Sequence, residues 1–141
     1  MKMKKILPIL FFAALFSACR NTTIGYLKTN KAEYVPNNIV VWRALDRPED
    51  ERRIKNSAPW VSPRIQGVLG TAPLIYEFAG VKVSDGGKAE IFSKEINVRG
   101  GGIMELPLHT KSPKGHYLVS VKVYNDGHEA IIKDAFTFII K

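Results

Sequence analysis

Along the last third of the chain, apolar and polar side chains alternate with a period of two. Tyr117, Val119, Val121 and Val123 share one parity, with His116, Leu118, Ser120, Lys122 and Tyr124 on the other. Strict alternation is the signature of a strand with one face in a core. Asn125-Asp126-Gly127 supplies residues that tolerate a tight hairpin turn. A return strand follows, with Phe136, Phe138 and Ile140 on one face and Ala135, Thr137 and Ile139 on the other. In the middle, Leu74, Tyr76 and Phe78 have one parity and Val81 and Val83 the opposite one. A β-bulge at Ala79-Gly80 would shift the parity by one and keep both halves facing inward. Ser84 to Gly87 reads as a turn, Ala89 to Val98 as another strand, and Ile103 to Leu108 as the next. Near the start, Tyr26 to Lys28 and Ile39 to Ala44 flank the turn residues Pro36-Asn37-Asn38.

Asp46 to Lys55 departs from this pattern. Acids and Pro48 come first and Arg52, Arg53 and Lys55 last, an order that complements a helix dipole. Only Leu45 and Ile54 offer apolar contact there, so a short surface helix and a charged loop both fit. About seven short strands with Gly/Pro turns predict an all-β domain, an antiparallel β-sandwich of the immunoglobulin-like kind, with a barrel as the alternative.

The opening residues follow another logic. Lys2, Lys4 and Lys5 precede an apolar run from Ile6 to Phe16, then small residues at Ser17 and Ala18. That is the layout of a secretory signal. The run is shorter than the roughly 20 apolar residues that cross a bilayer. The chain's one cysteine, Cys19, stands where processing would leave it N-terminal. Leu15-Phe16-Ser17-Ala18-Cys19 resembles the bacterial lipobox, which implies a diacylglyceryl chain on Cys19, with Phe16 where Leu is commoner. An ordinary signal-peptidase site near Ala18 and an uncleaved anchor are the alternatives. The expected organisation is a signal peptide over residues 1–18, a lipidated tether over 19–23 and one domain over 24–141.

With Cys19 so placed, no cysteine remains for a disulfide, and a packed core must hold the domain. Removing the signal takes three lysines and no acid, lowering the net charge from +8 to +5. A moderate positive balance suits anionic headgroups or acidic glycans. The lack of a Lys/Arg run or basic helix face, in an exported protein, argues against nucleic acid.

Tyr26 to Pro36, with its "TNK…Y.P" spacing, resembles the opening strand of macroglobulin-type and related immunoglobulin-like modules, with Asn30 for the usual Asp and Asn37 for the usual Gly. Pro113-Lys114-Gly115-His116-Tyr117 and the stretch from Asn125 to Phe138 are similar to the closing strands of such modules in lipoproteins of the Bacteroidota. The resemblance covers both ends of the domain and little of its middle. It implies a fold and an envelope location, and says little of function. In that group acidic residues after the lipidated Cys accompany surface export; Arg20-Asn21-Thr22-Thr23 has none, which implies an outer-membrane anchor facing the periplasm.

Candidate chemistry is sparse. His109, His116 and His128 lack metal-ligand spacing and read as exposed turn histidines. Asp46, Glu49, Asp50 and Glu51 lack the alternation of a calcium loop. Gly100-Gly101-Gly102 has no Lys-Ser/Thr after it and reads as a flexible loop. No nucleophile elbow or acid/base pair can be placed, so no enzyme, cofactor or metal is expected.

Trp42 shares parity with Val40 and Ala44 and reads as a core residue. Trp60 lies in Ala58-Pro59-Trp60-Val61-Ser62-Pro63, where no period buries it. The plainer reading has Trp60 closing one end of the sandwich. The sharper one exposes it as a platform for a sugar or a protein hot spot, with Asn56, Arg64 and Gln66 supplying hydrogen bonds. The expected function is a non-catalytic, membrane-anchored module for an envelope protein partner; the alternatives are glycan binding through Trp60 and a purely structural spacer.

Overall fold

The computed structural model describes residues 25–141. Cys19, the signal segment and the tether lie outside the described residues. The elements run β1 (Leu27–Lys28), β2 (Asn38–Val41), α1 (Asp50–Lys55), β3 (Trp60–Val61), β4 (Leu69–Gly70), β5 (Ile75–Ser84), α2 (Ala89–Glu95), β6 (Asn97–Arg99), a 3₁₀ turn (Gly100–Gly102), β7 (Ile103–Leu106), β8 (Gly115–Asn125) and β9 (His128–Ile140). The fold is all-β in character, with strands outweighing two short helices.

The alternation read from Tyr117 to Val123 becomes β8, the inner strand of a four-stranded sheet ordered β2-β9-β8-β5. Its inward row Tyr117, Val119, Val121 and Val123 has no solvent exposure at all. Asn125 pairs with His128 across the Asp126-Gly127 turn, so the hairpin falls where the turn residues place it. β5 pairs antiparallel to β8, and its register shifts between Phe78 and Gly80. The bulge read from the change in parity is there. A second irregularity, between Val119 and Val121, has no comparable signal in the alternation of β8. Opposite it Asp134 takes a positive φ of 51°, its amide donates to Ser120 Oγ, and its carboxylate pairs with Lys82.

A three-stranded sheet ordered β3-β7-β6 supplies Trp60, Met104 and Leu106 to the same core. The aromatic centre is Phe92 stacked on Tyr117 at 4.5 Å, with Phe138 at 5.6 Å from Phe92 and Phe136 at 5.1 Å from Phe138. β1 and β4 make a separate two-stranded pair beside the β8–β9 turn.

Several expectations need correction. Ala89 to Val98 is not one strand: α2 occupies most of it and only β6 is extended. Ile91, Phe92, Glu95 and Ile96 fall at helical spacing, and Phe92 and Glu95, three apart, turn to one side. β2 ends at Val41 and pairs parallel to β9, not antiparallel. Its inward residues are Ile39 and Val41, opposite Phe138 and Ile140, so Trp42 lies past the strand with the other parity. Gly100 to Gly102 is a built turn: Gly101 and Gly102 take φ of 77° and 72°, and their carbonyls accept from Ile65 N and Tyr34 Oη. Burial holds the Tyr34 hydroxyl well above its usual pKa, which keeps it a donor.

The charged stretch is helical over its second half. Acids start α1 and bases end it, as the dipole argument requires. Asp50, however, is 1% exposed. Arg47 closes on it with two guanidinium bonds of 3.1 and 2.7 Å and an amide bond of 3.2 Å. That hydrogen bonding lowers the Asp50 pKa against the opposing effect of desolvation.

Phe138 packs against both Phe92 and Phe136, and truncating it leaves a cavity between the sheets. Phe138→Ala is expected to cost about 3–5 kcal/mol in denaturant unfolding, with β5, β8 and β9 lost in one transition.

Candidate functional site

The four residues singled out in sequence have four separate surroundings. Trp60 is 4% exposed, so the reading that exposed it as a platform is corrected. Its indole N–H donates to Leu108 O at 3.3 Å, and Arg53 covers the ring with its guanidinium carbon 4.0 Å from the centroid. Pairing of β3 with β7, Trp60 opposite Leu106, is what carries it inward. Two residues of strand are too few to show a period, so the alternation could not reveal this. Asn56 ends α1, its amide bonded to Arg52 O. Arg64 lies along Gly101, where a Cβ would come within 2.8 Å of its Nε. Gln66 pairs through its backbone with Glu33. All three side chains reach solvent.

A different group of residues surrounds the best-formed concavity. At the end of the main sheet formed by the start of β8, the end of β9 and the segment after β2, a groove of about 560 Å³ opens to solvent. Trp42, Ile139 and Ile140 form its apolar part, and Arg43, Lys114 and Lys141 its cationic part. Parallel pairing builds it: Lys141 N donates to Val41 O at 2.8 Å and Arg43 N to Lys141 O at 3.0 Å, which carries Trp42 and Arg43 alongside the last residues of β9. Lys114 arrives from the loop that precedes β8.

Trp42 packs against the core from one side and is half-buried. The Arg47 guanidinium lies 4.6 Å and Lys141 Nζ 5.6 Å from its ring centroid. Arg47 is committed to Asp50 and Glu49. Arg43, Lys114 and Lys141 make no side-chain ion pair among the described residues. The one acidic side chain lining the groove, Asp85, bonds His116 Nδ1. The groove is thus a positively charged recess with an aliphatic and aromatic floor. Such a recess can hold an anionic group.

Beneath this end of the sheet lies a polar lock. Glu95, from the end of α2, accepts from Thr110 Oγ1 at 2.5 Å, Lys111 N at 2.6 Å, Ser112 Oγ at 2.7 Å and Ser112 N at 3.2 Å. Tyr117 Oη donates to Pro113 O at 2.7 Å and accepts from Lys88 N at 3.2 Å. Together they fix the loop from which Lys114 projects.

The described residues begin at the other end of the sheet. His128 Nε2 bonds Gly25 O, and Asn125 Nδ2 donates to Tyr26 O and Thr71 O. β8 runs the eleven residues between the two ends, which separates the groove from Gly25 by roughly 30 Å.

Sequence reasoning missed Arg43, Lys114 and Lys141 because each looks like an ordinary polar residue at a strand end. The available signal was Trp42 followed directly by Arg43; their meeting with Lys141 depends on a parallel pairing that alternation does not encode. No group of three metal-ligating side chains occurs among the described residues. No family model, curated protein or solved structure matches this chain.

Two predictions follow from the burial and bonding just described. Acrylamide will quench Trp42 in a Trp60→Phe protein severalfold more than it quenches Trp60 in a Trp42→Phe protein. The second concerns Glu95. Burial pushes its pKa up, but the bonds from Thr110, Lys111 and Ser112 outweigh that and hold it below the usual carboxylate value of 4.5. A depressed folded pKa adds stability above the unfolded value, and that stability is lost as pH falls through the folded one. Glu95→Gln is therefore expected to unfold about 1–2 kcal/mol more easily at pH 7, with a difference from the parent that shrinks in acid.

Proposed function

We propose that this chain is a lipid-anchored bacterial envelope lipoprotein whose single domain is an immunoglobulin-like β-sandwich acting as a non-catalytic binding module for an envelope protein. The sandwich reading is supported by two sheets that share one core, by seven strands between them, and by a long closing hairpin. The anchoring reading rests on the basic, apolar and small-residue order of residues 2–18 and on Cys19 directly after it. The family reading, a Bacteroidota-type lipoprotein module, rests on the strand-opening and strand-closing residues named above.

One observation carries the binding role: the open groove at Trp42 lies at the end of the sheet opposite Gly25. A domain tethered through residues 19–23 then holds its groove about a strand's length from the entering chain, at the end opposite Gly25. A spacer needs no such recess. Glycan binding through Trp60 loses its support once the ring is packed under Arg53. Among the described residues no helix is long and apolar enough to cross a membrane.

Cys19→Ala should leave a folded domain that no longer fractionates with membranes after a high-salt wash, while the parent chain stays and incorporates labelled fatty acid. A Cys19→Ala protein that remains membrane-bound would sink the anchoring reading.

A further inference from the structure

We propose that the groove between Trp42, Lys114 and Lys141 is a docking site for an acidic peptide segment, one that sets carboxylates against its cations and an aliphatic side chain against Ile139. This deepens the reading of the groove as the binding site and names its ligand class.

Charge is the first ground. Three cations converge on one recess and none has a carboxylate partner among the described residues, while the recess's own acid is engaged by His116. Elsewhere on this sheet Lys82 pairs with Asp134 and Lys122 with Glu129, while the exposed Lys133 makes no ion pair among the described residues. An incoming carboxylate would meet side chains not otherwise committed, against a low-dielectric floor where an ion pair is worth more than on open surface.

Trp42 is the second ground, and it separates ligand classes. A neutral sugar needs a bare ring face for its C–H groups. Here Arg47 and Lys141 already lie over the indole at 4.6 and 5.6 Å from its centroid. The ring therefore serves to hold cations in place, and what it presents outward is positive charge. Ile139 beside it gives the groove an apolar part that a polyhydroxylated acidic glycan would leave unmatched.

Position is the third. With the chain entering at Gly25, the groove lies at the opposite end of β8, roughly 30 Å away. Headgroups at the anchoring membrane would then lie beyond several Debye lengths at physiological ionic strength, which are about 8 Å each.

The test uses the full-length chain in detergent micelles and a synthetic peptide of alternating Glu and Leu, with its Gln/Leu counterpart as control, followed by titration calorimetry. The Glu peptide is expected to bind in the micromolar range and to weaken with salt, and the Gln peptide to bind at least tenfold more weakly. Arg43→Gln, Lys114→Gln and Lys141→Gln should each lower affinity about two- to fivefold, and together more than tenfold. Lys133→Gln, exposed in the other half of β9, should change nothing, and thermal melts of all variants should overlay the parent. Equal binding of both peptides, no binding of either, or full affinity in the triple variant would overturn the proposal. So would groove-dependent capture by uronic-acid oligosaccharides or phosphatidylglycerol vesicles in preference to the peptide. Failure of anchoring would show separately, in the fractionation of Cys19→Ala, and would leave this titration unaffected.

Discussion

The inward row of β8 fixes nearly everything else. Tyr117, Val119, Val121 and Val123 are wholly removed from water, and β8 is hydrogen-bonded on both edges, to β5 and to β9. A slip of one residue in either ladder would turn this row outward and bring His116, Lys122 and Tyr124 into the core. The cost of that exchange locks both neighbours in register. β9, once placed, presents its last residues to β2, and the parallel pairing of Val41 with Ile140 carries Trp42 and Arg43 beside Lys141. The groove is thus a consequence of core register, although none of its cations belongs to the core.

Polar anchors hold the two ends of the sheet, and they differ in kind. At the groove end Glu95 gathers four donors and Tyr117 both donates and accepts, so these buried groups are matched. At the hairpin end Asn125 gives its amide hydrogens to Tyr26 and Thr71, and its Oδ1 has no hydrogen-bond partner among the described residues. An unmatched buried acceptor weakens a junction more than a missing apolar contact of equal size. The loop bearing Lys114 is accordingly the better-braced end, which suits a site whose geometry must persist.

Legibility in the sequence followed the length over which a pattern repeats. β5 with its bulge, β8, the turn and the second half of β9 could all be read, because four or more alternating positions and a distinctive turn specify each. Ala89 to Val98 reads as one strand because Ile91, Phe92 and Ile96 satisfy a strand run as readily as a single helical face, and the helix that takes its first part is only seven residues long. Trp60 was open to two readings because its strand has two residues and its burial depends on β7, over forty positions later. The opposite happened at Trp42. Parity with Val40 argued for the core, yet β2 ends at Val41, and past that point parity means nothing. The two tryptophans exchanged their sharper roles for the same reason: at a strand's end, tertiary placement decides which way a ring faces.

That leaves the question of why the groove's cations go unpaired. The fold does not require them, since Arg43, Lys114 and Lys141 make no hydrogen bond through their side chains among the described residues. Nor does it resist them strongly. Two like charges on the order of 10 Å apart in water repel by about 0.4 kcal/mol, and salt reduces that further. Folding stability therefore exerts little force on these positions in either direction. Charge that the core neither needs nor opposes can be arranged for a ligand at almost no cost to the fold. Arg47 shows the contrast: it also lies against Trp42, but its guanidinium is committed to the buried Asp50 and so belongs to the architecture. The boundary between scaffold and site in this protein runs across a single indole, with a structural cation and an available one both held over it.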